Sequence, residues 1–331
     1  ILSKISQHKT VKEQYGKCYR GILTGFNEAF IIDEKTKNEL IAASPTATEV
    51  IKPLYEGKDL TKWTNRKIEK YLLALYPSKN FDIDNYASVK DYLLTFGLER
   101  LEQTGGENSR KKTNNKWFET QDTIGYWQQI EKTKIVWPNL QNNNKFSFDK
   151  NNYAINAPAC LLPTEDVVLL SILNSKLIWK FLLSICVVRS GGYIEVKPQY
   201  FEQIPIPPIS ETEREELFHI TDKMLSLNKE LQEVSGKFVR NMQREFALQS
   251  LSGKLQSWHD LSYADFLREL AKAKVSLSLS QKAEWETYFT TEQQNAQNLK
   301  QQIAATDSEI DCMVYELYGL TDEEIRIVEG E

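Results

Sequence analysis

Residues 204–238 read IPIPPISETEREELFHITDKMLSLNKELQEVSGKF, and this stretch divides the chain. Its first seven residues, Ile204–Ser210, hold three prolines, which cannot continue a helix and favour extended backbone. Ser210 and Glu213 then stand three apart, the spacing of a capping box. Beyond them Leu217, Ile220, Met224, Leu227, Leu231, Val234 and Phe238 recur in alternating steps of three and four. That is a heptad seam, and it predicts one helix from Glu211 to about Ala247, roughly 55 Å long at 1.5 Å per residue.

A second seam lies near the end: Ala296, Leu299, Ile303, Thr306, Ile310, Met313 and Leu317. Two such helices in one chain bury their apolar stripes best against each other, as an antiparallel, coiled-coil-like hairpin. Gly319 suits the position after the second helix, and Thr321 with Glu324 repeats the capping-box spacing for a short last helix. Between the seams, Leu248–Glu284 carries Trp258, Tyr263, Phe266, Leu267 and Leu270, which predict one or two short helices at the tip.

Working back from the proline run, the first part reads as mixed α and β. Cys18–Asp33 predicts two strands around a turn at Gly25–Asn27, and Tyr71–Leu75 and Lys134–Trp137 predict further strands. Asp84–Glu102 has helical periodicity, and Glu165–Leu183 reads as one buried helix. Thr104–Lys116 (TGGENSRKKTNNK) is a loop by composition. The expected fold class is therefore α+β: a mixed α/β domain over residues 1–207, followed by a helical scaffold over residues 208–331 with a tip insertion at 248–284.

Charge divides at the same place. Residues 1–207 hold 28 Lys and Arg against 23 Asp and Glu, whereas residues 208–331 hold 13 against 23. The first part would attract a polyanion and the second would repel it. The longest apolar run, Val167–Val188, is interrupted by Ser171, Asn174, Lys176 and Lys180, so it reads as a core helix rather than a membrane span. No signal peptide opens the chain; it begins with Ile1, which suggests a piece of a longer protein. Cys18, Cys160, Cys186 and Cys312 are far apart and form no CxxC pair, so they read as free core thiols of a cytoplasmic protein rather than zinc ligands. Three scattered histidines make no metal site.

Catalytic motifs are missing. The one Pro-Pro, Pro207–Pro208, lacks the Asn or Asp that would orient a target amine, and no glycine-rich cofactor loop follows an early strand. Glu195-Val196-Lys197 matches the E-x-K tripeptide of metal-dependent nucleases, but no upstream aspartate completes it. Between Arg110 and Lys145, by contrast, seven basic residues face three acidic ones and are interleaved with Asn and Gln. Cations neutralise phosphates and amides can bond adenine edges, so this is the pattern of a DNA-contacting segment, although a solvated loop has the same composition. The candidate DNA-binding residues are Arg110, Lys111, Lys112, Asn114, Asn115, Lys116, Lys132 and Lys134, together with Arg189 and Lys197. Trp117, Phe118, Trp127 and Trp137 are read as core.

Several segments together resemble the TaqI-like C-terminal specificity domain: YRGILTGFNEAFIID (Tyr19–Asp33), KWFE (Lys116–Glu119), KIVWP (Lys134–Pro138), LNSKLIWKFL (Leu173–Leu182) and GGYIEVKPQYFEQIPIP (Gly191–Pro207). The ending MVYELYGLTDEEIRIVEG (Met313–Gly330) is also similar to the family's usual tail. The resemblance implies a target-recognition module of type IIG restriction–modification enzymes or adenine-specific DNA methyltransferases. It implies duplex DNA and an N-terminal methyltransferase domain of the same parent chain as partners. No cofactor is expected in this part; S-adenosylmethionine, and Mg²⁺ where a nuclease is attached, would belong to the parent enzyme. The alternative is an interaction scaffold that docks a methyltransferase or defence-complex subunit through its helical hairpin.

Overall fold

A computed structural model describes residues 1–330. The chain forms two compact units, one comprising Ile1–Ser210 and the segment that begins at Val314, the other comprising Glu211–Met313.

The first unit is mixed α and β, as its sequence predicts. Its strands are β1 (Tyr19–Arg20), β2 (Ile31–Asp33), β3 (Ile51–Tyr55), β4 (Lys70–Leu73), β5 (Lys134–Trp137), β6 (Leu140–Gln141), β7 (Ser147–Asp149), β8 (Ala154–Ile155), β9 (Cys160–Pro163), β10 (Val187–Arg189) and β11 (Tyr193–Glu195). They make three sheets, ordered β2-β4-β3-β8, β1-β9-β5-β7 and β10-β11-β6. All strand pairs are antiparallel except β3 with β8. Strand β5 lies inside its sheet and all four of its residues are buried, which is why KIVW lacks the alternation of a half-exposed strand. One core joins the first two sheets through Ile22, Phe30, Leu54, Leu72, Val136 and Leu161.

Several elements are shorter than their patterns suggest. The turn after Gly25 leads into a helical turn, Asn27–Phe30, so the predicted strands reduce to β1 and β2. The helix predicted over Asp84–Glu102 is broken into Ala87–Leu94 and Leu98–Leu101 at Gly97, whose φ of +87° an L side chain rarely adopts. Glu165–Leu183 is two helices, Val168–Asn174 and Lys176–Ile185, bent by 62°. Ser175 makes the break: its hydroxyl donates to the Ile172 carbonyl at 2.7 Å and accepts from the Ile178 amide at 3.3 Å. No single described helix is long and apolar enough to cross a membrane.

The chain passes from one unit to the other twice, after Ser210 and after Met313. From Val314 onward the chain returns to the first unit, where the Tyr318 hydroxyl donates to the Pro205 carbonyl at 2.5 Å. Lys4 bonds Glu324 at 2.8 Å, and Tyr315 donates to Glu329 at 2.6 Å while Lys176 pairs with that carboxylate. Thr321 and Glu324 form the capping box of a last helix, Asp322–Glu329. Counted by unit, the charge contrast softens: the first unit carries 29 basic and 29 acidic residues, the second 12 and 17. Two tail carboxylates, Glu324 and Glu329, are spent on Lys4 and Lys176.

The second unit is helical. Helix Glu211–Glu245 runs antiparallel to helix Leu279–Leu317, whose last residues lie in the first unit. The direction follows from two pairings: Lys223 with Glu309 at 3.7 Å and, further along the first helix, Asn241 with Tyr288 at 2.8 Å. Leu217, Ile220, Met224, Leu227 and Phe238 of one seam are buried, as are Ala296, Leu299, Thr306 and Ile310 of the other. At the tip, short helices Gly253–Gln256 and Tyr263–Lys272 cover an aromatic core in which Phe238 stacks on Trp258, ring centroids 3.7 Å apart.

Candidate nucleic-acid interface

Thr104–Lys116 lacks periodicity, yet it is tightly bonded internally. The centre is Arg110, which is buried. Its Nε donates to the Leu101 carbonyl at 2.8 Å, Nη1 to the carbonyls of Thr24 at 2.9 Å and Glu119 at 2.7 Å, and Nη2 to those of Leu101 and Trp117, both at 2.6 Å. The planar five-donor fork of Arg is needed to collect carbonyls from three segments at once. Burial pushes its pKa down to about 10 against the pull of Glu119, so it stays charged at neutral pH. Buried Gln103 supports the same loop, donating to the carbonyls of Lys116 and Glu119 at 3.2 and 3.1 Å and accepting from Thr113 at 2.7 Å. Gly105, at φ +78°, makes the turn that lets its amide donate to the Arg110 carbonyl at 3.0 Å.

This bracing divides the candidate residues. Arg110 was expected to contact DNA; its guanidinium is consumed by backbone carbonyls and cannot reach a phosphate. Asn115 is half-buried and donates inward to the carbonyls of Thr120 and Gln121, at 3.2 and 2.9 Å. Lys111, Lys112, Asn114 and Lys116 are exposed. Lys116 holds Asn80 Oδ1 at 3.2 Å, an exposed contact that water could replace. Lys111 is also near Asp122, whose carboxyl burial raises and Arg20 and Lys111 lower. Exposed Arg20 and the stacked pair Tyr19 and Tyr126, with Lys17 over the Tyr19 ring at 5.8 Å, adjoin this corner. Lys17 and Arg20 precede the basic run in sequence, and only the fold brings them to it.

Lys134 is a second correction. It is fully buried on β5, where its ammonium bonds Asp149 at 2.6 Å and the Ile130 carbonyl at 2.8 Å. Burial lowers its pKa and Asp149 opposes the shift. Lys132, two residues earlier, is exposed beside Gln129, Asn152 and Thr164.

Arg189 ends β10, and Lys197 follows β11 by two residues, in an exposed hairpin that turns through Gly191 and Gly192 at φ +74° and +76°. Both cations bond one carboxylate: Arg189 reaches Glu195 at 2.9 Å and Lys197 at 2.5 Å. Lys197 first, then Arg189, holds the Glu195 carboxyl below its ordinary range. Directly opposed residues share a face of a sheet, so Val187, Glu195 and Leu140 form one row and Arg189 and Tyr193 the next. Leu140, Val187, Arg189 and Tyr193 of these rows are exposed. Among the described residues no three potential metal-ligating side chains converge, at Glu195 or elsewhere.

Phe118 and Trp137 are core, and Trp117 and Trp127 are half-buried, the latter under Lys79 at 3.9 Å. Cys18, Cys160 and Cys186 are buried thiols whose pKa burial raises, but Cys312 is exposed, contrary to expectation.

Residues 52–206 match the family model of the TaqI-like C-terminal specificity domain, and residues 210–314 match a domain of unknown function, DUF8810. No curated protein matches the chain. Among solved structures the chain resembles the Type IIL restriction-modification enzyme MmeI in complex with DNA, with a TM-score of 0.52 and 11% identity over 95% of this chain. At that identity the likeness speaks for the fold, and the chain spans about a third of that enzyme's length, 34%. The Tyr19–Asp33 motif lies before the matched segment, whereas loop 104–116 and the β10–β11 hairpin both fall within it. Residues 52–206 thus carry the sequence pattern of the TaqI-like C-terminal specificity domain.

Proposed function

We propose that this chain reads duplex DNA as the specificity module of a restriction–modification enzyme that methylates adenine N6. The observation that carries the reading is the locked loop: Arg110 fixes its backbone, while Lys111, Lys112, Asn114 and Lys116 face solvent. A preorganised loop binds without a large ordering cost, and cations beside amides supply both phosphate and base-edge contacts. The specificity-domain match and the DNA complex of the structurally similar enzyme support the same reading. In it, the exposed Gly191–Gly192 end of the β10–β11 hairpin, which extends past the short strand β6, is a second contact. Methyl transfer from S-adenosylmethionine, with any Mg²⁺-dependent cleavage, would belong to other domains of the parent enzyme, working in the cytoplasm.

The test is duplex binding by the full chain over a series of salt concentrations. Each phosphate contact contributes about 0.9 to the slope of log K against log salt. Lys111→Ala with Lys112→Ala should lower affinity for all sequences and flatten the slope by up to about 2. Asn114→Ala should relax preference at one base pair instead. Parental affinity and slope in the double-lysine variant would remove the loop from the interface.

A further inference from the structure

A second concentration of positive charge lies on Lys58–Lys70, which reads KDLTKWTNRKIEK. This segment curls on itself: the Thr61 hydroxyl bonds the Thr64 carbonyl, and the Arg66 amide donates to the Asp59 carbonyl at 2.8 Å. Within the curl, buried Trp63 has a φ of +74°, a left-handed conformation that a bulky side chain adopts only when its surroundings impose it. The surroundings are the segment around β7. The Trp63 amide donates to the Phe146 carbonyl at 3.0 Å, Trp63 bridges Ser147, and the Asn65 and Ser147 side chains are bonded. These contacts bring together the segments that carry Arg66 and Lys145, so that the Arg66 charge acts on the Lys145 ammonium.

Arg66 is exposed and Lys145 is half-buried, with its amide tied to Gln141 Oε1 at 2.8 Å. Among the described residues, neither cation has a carboxylate within 4.0 Å. The nearby Glu56 is taken by Lys58 at 2.8 Å, and Asp59 turns back to accept from the Glu56 amide at 2.9 Å. Burial and the neighbouring Arg66 together lower the Lys145 pKa. Two like charges brought together, one partly desolvated and no anion between them, work against the fold. A bound anion relieves both penalties. Arg supplies a planar fork for two phosphate oxygens and Lys a point charge.

We propose that Arg66 and Lys145 form a phosphate site whose occupant is the phosphodiester backbone of a bound duplex, a contact separate from loop 104–116. It rests on the DNA reading given above. The test uses Arg66→Gln and Lys145→Gln, singly and together, in the full chain, alongside the Lys111→Ala/Lys112→Ala variant. The double Gln variant should melt no lower than the parent, because it loses a repulsive pair. It should nevertheless bind a mixed-sequence duplex several-fold more weakly, with a salt slope reduced by up to about 2. Inorganic phosphate at fixed ionic strength separates the two sources of the group. If that ion raises the parental melting temperature, the Gln variant does not respond, and duplex affinity is the same in both, the occupant is a free anion and the backbone assignment is overturned. Unchanged affinity and slope with no phosphate response overturn the site altogether. Loss of duplex binding in the Ala variant but not in the Gln variant removes this site alone; a parent that binds no duplex removes the DNA reading with it.

Discussion

Removing the Arg110 side chain would leave the buried carbonyls of Leu101 and Trp117 without their side-chain donor and weaken those of Thr24 and Glu119. Each unsatisfied buried group costs about 1–3 kcal/mol, so Arg110→Ala should cost about 3 kcal/mol or more in urea unfolding. Arg110→Lys should recover little of this, because an ammonium cannot span three segments. Lys134→Met should also be severe, about 3–5 kcal/mol, since it strands a buried Asp149. Asp149 cannot be removed in compensation without cost, because it also accepts from the amides of Asn151 and Tyr153 at 2.9 and 3.0 Å. Denaturant midpoints for Lys134→Met alone and paired with Asp149→Asn check this. Adjacent Arg110 and Lys111 thus have opposite fates, and the sequence could not tell them apart. An aperiodic loop has no inward and outward phase from which to read burial.

Among the elements, the two long helices were legible because steps of three and four over many residues leave one geometry that buries the apolar stripe. Short elements were less so. Gly97 and Ser175 end helices through a single backbone angle or hydroxyl, which periodicity does not register. The β1–β2 turn is similar: at Gly25, φ is +75° and a Cβ would stand 2.5 Å from Gln121 Oε1. Gly25→Ala should therefore cost more than the roughly 1 kcal/mol of φ strain alone, because Gln121 beside the loop must move. Thermal melts of Gly25→Ala and of Gly192→Ala separate the two effects, since the second position has positive φ but open space. In the helical unit, Phe238 stacks on Trp258 and Tyr288 and meets Phe266 and Phe289 edge-on. Phe238→Ala should cost about 3–5 kcal/mol, with hydrogen exchange rising at the tip.

For the molecule as a whole, pH should act through the returning tail. Lys4, then the Thr321 amide, holds Glu324 down to about 2, against an ordinary 4.5. A lowered carboxyl stabilises the folded state above its unfolded pKa, and that contribution fades as pH falls from 4.5 towards 2. The melting-temperature gap between parent and Glu324→Gln should close over that window, and high salt should narrow it at neutral pH.

The tail also changes how this protein can be taken apart. Topologically, Glu211–Met313 is an insertion, because both flanking stretches fold into the same unit. Cutting the gene after the proline run would not release an intact first unit; it would strip Tyr318 from Pro205 and Glu324 from Lys4. Excision with rejoining, from Ser210 to Val314 through a short flexible bridge, is the dissection this connectivity favours.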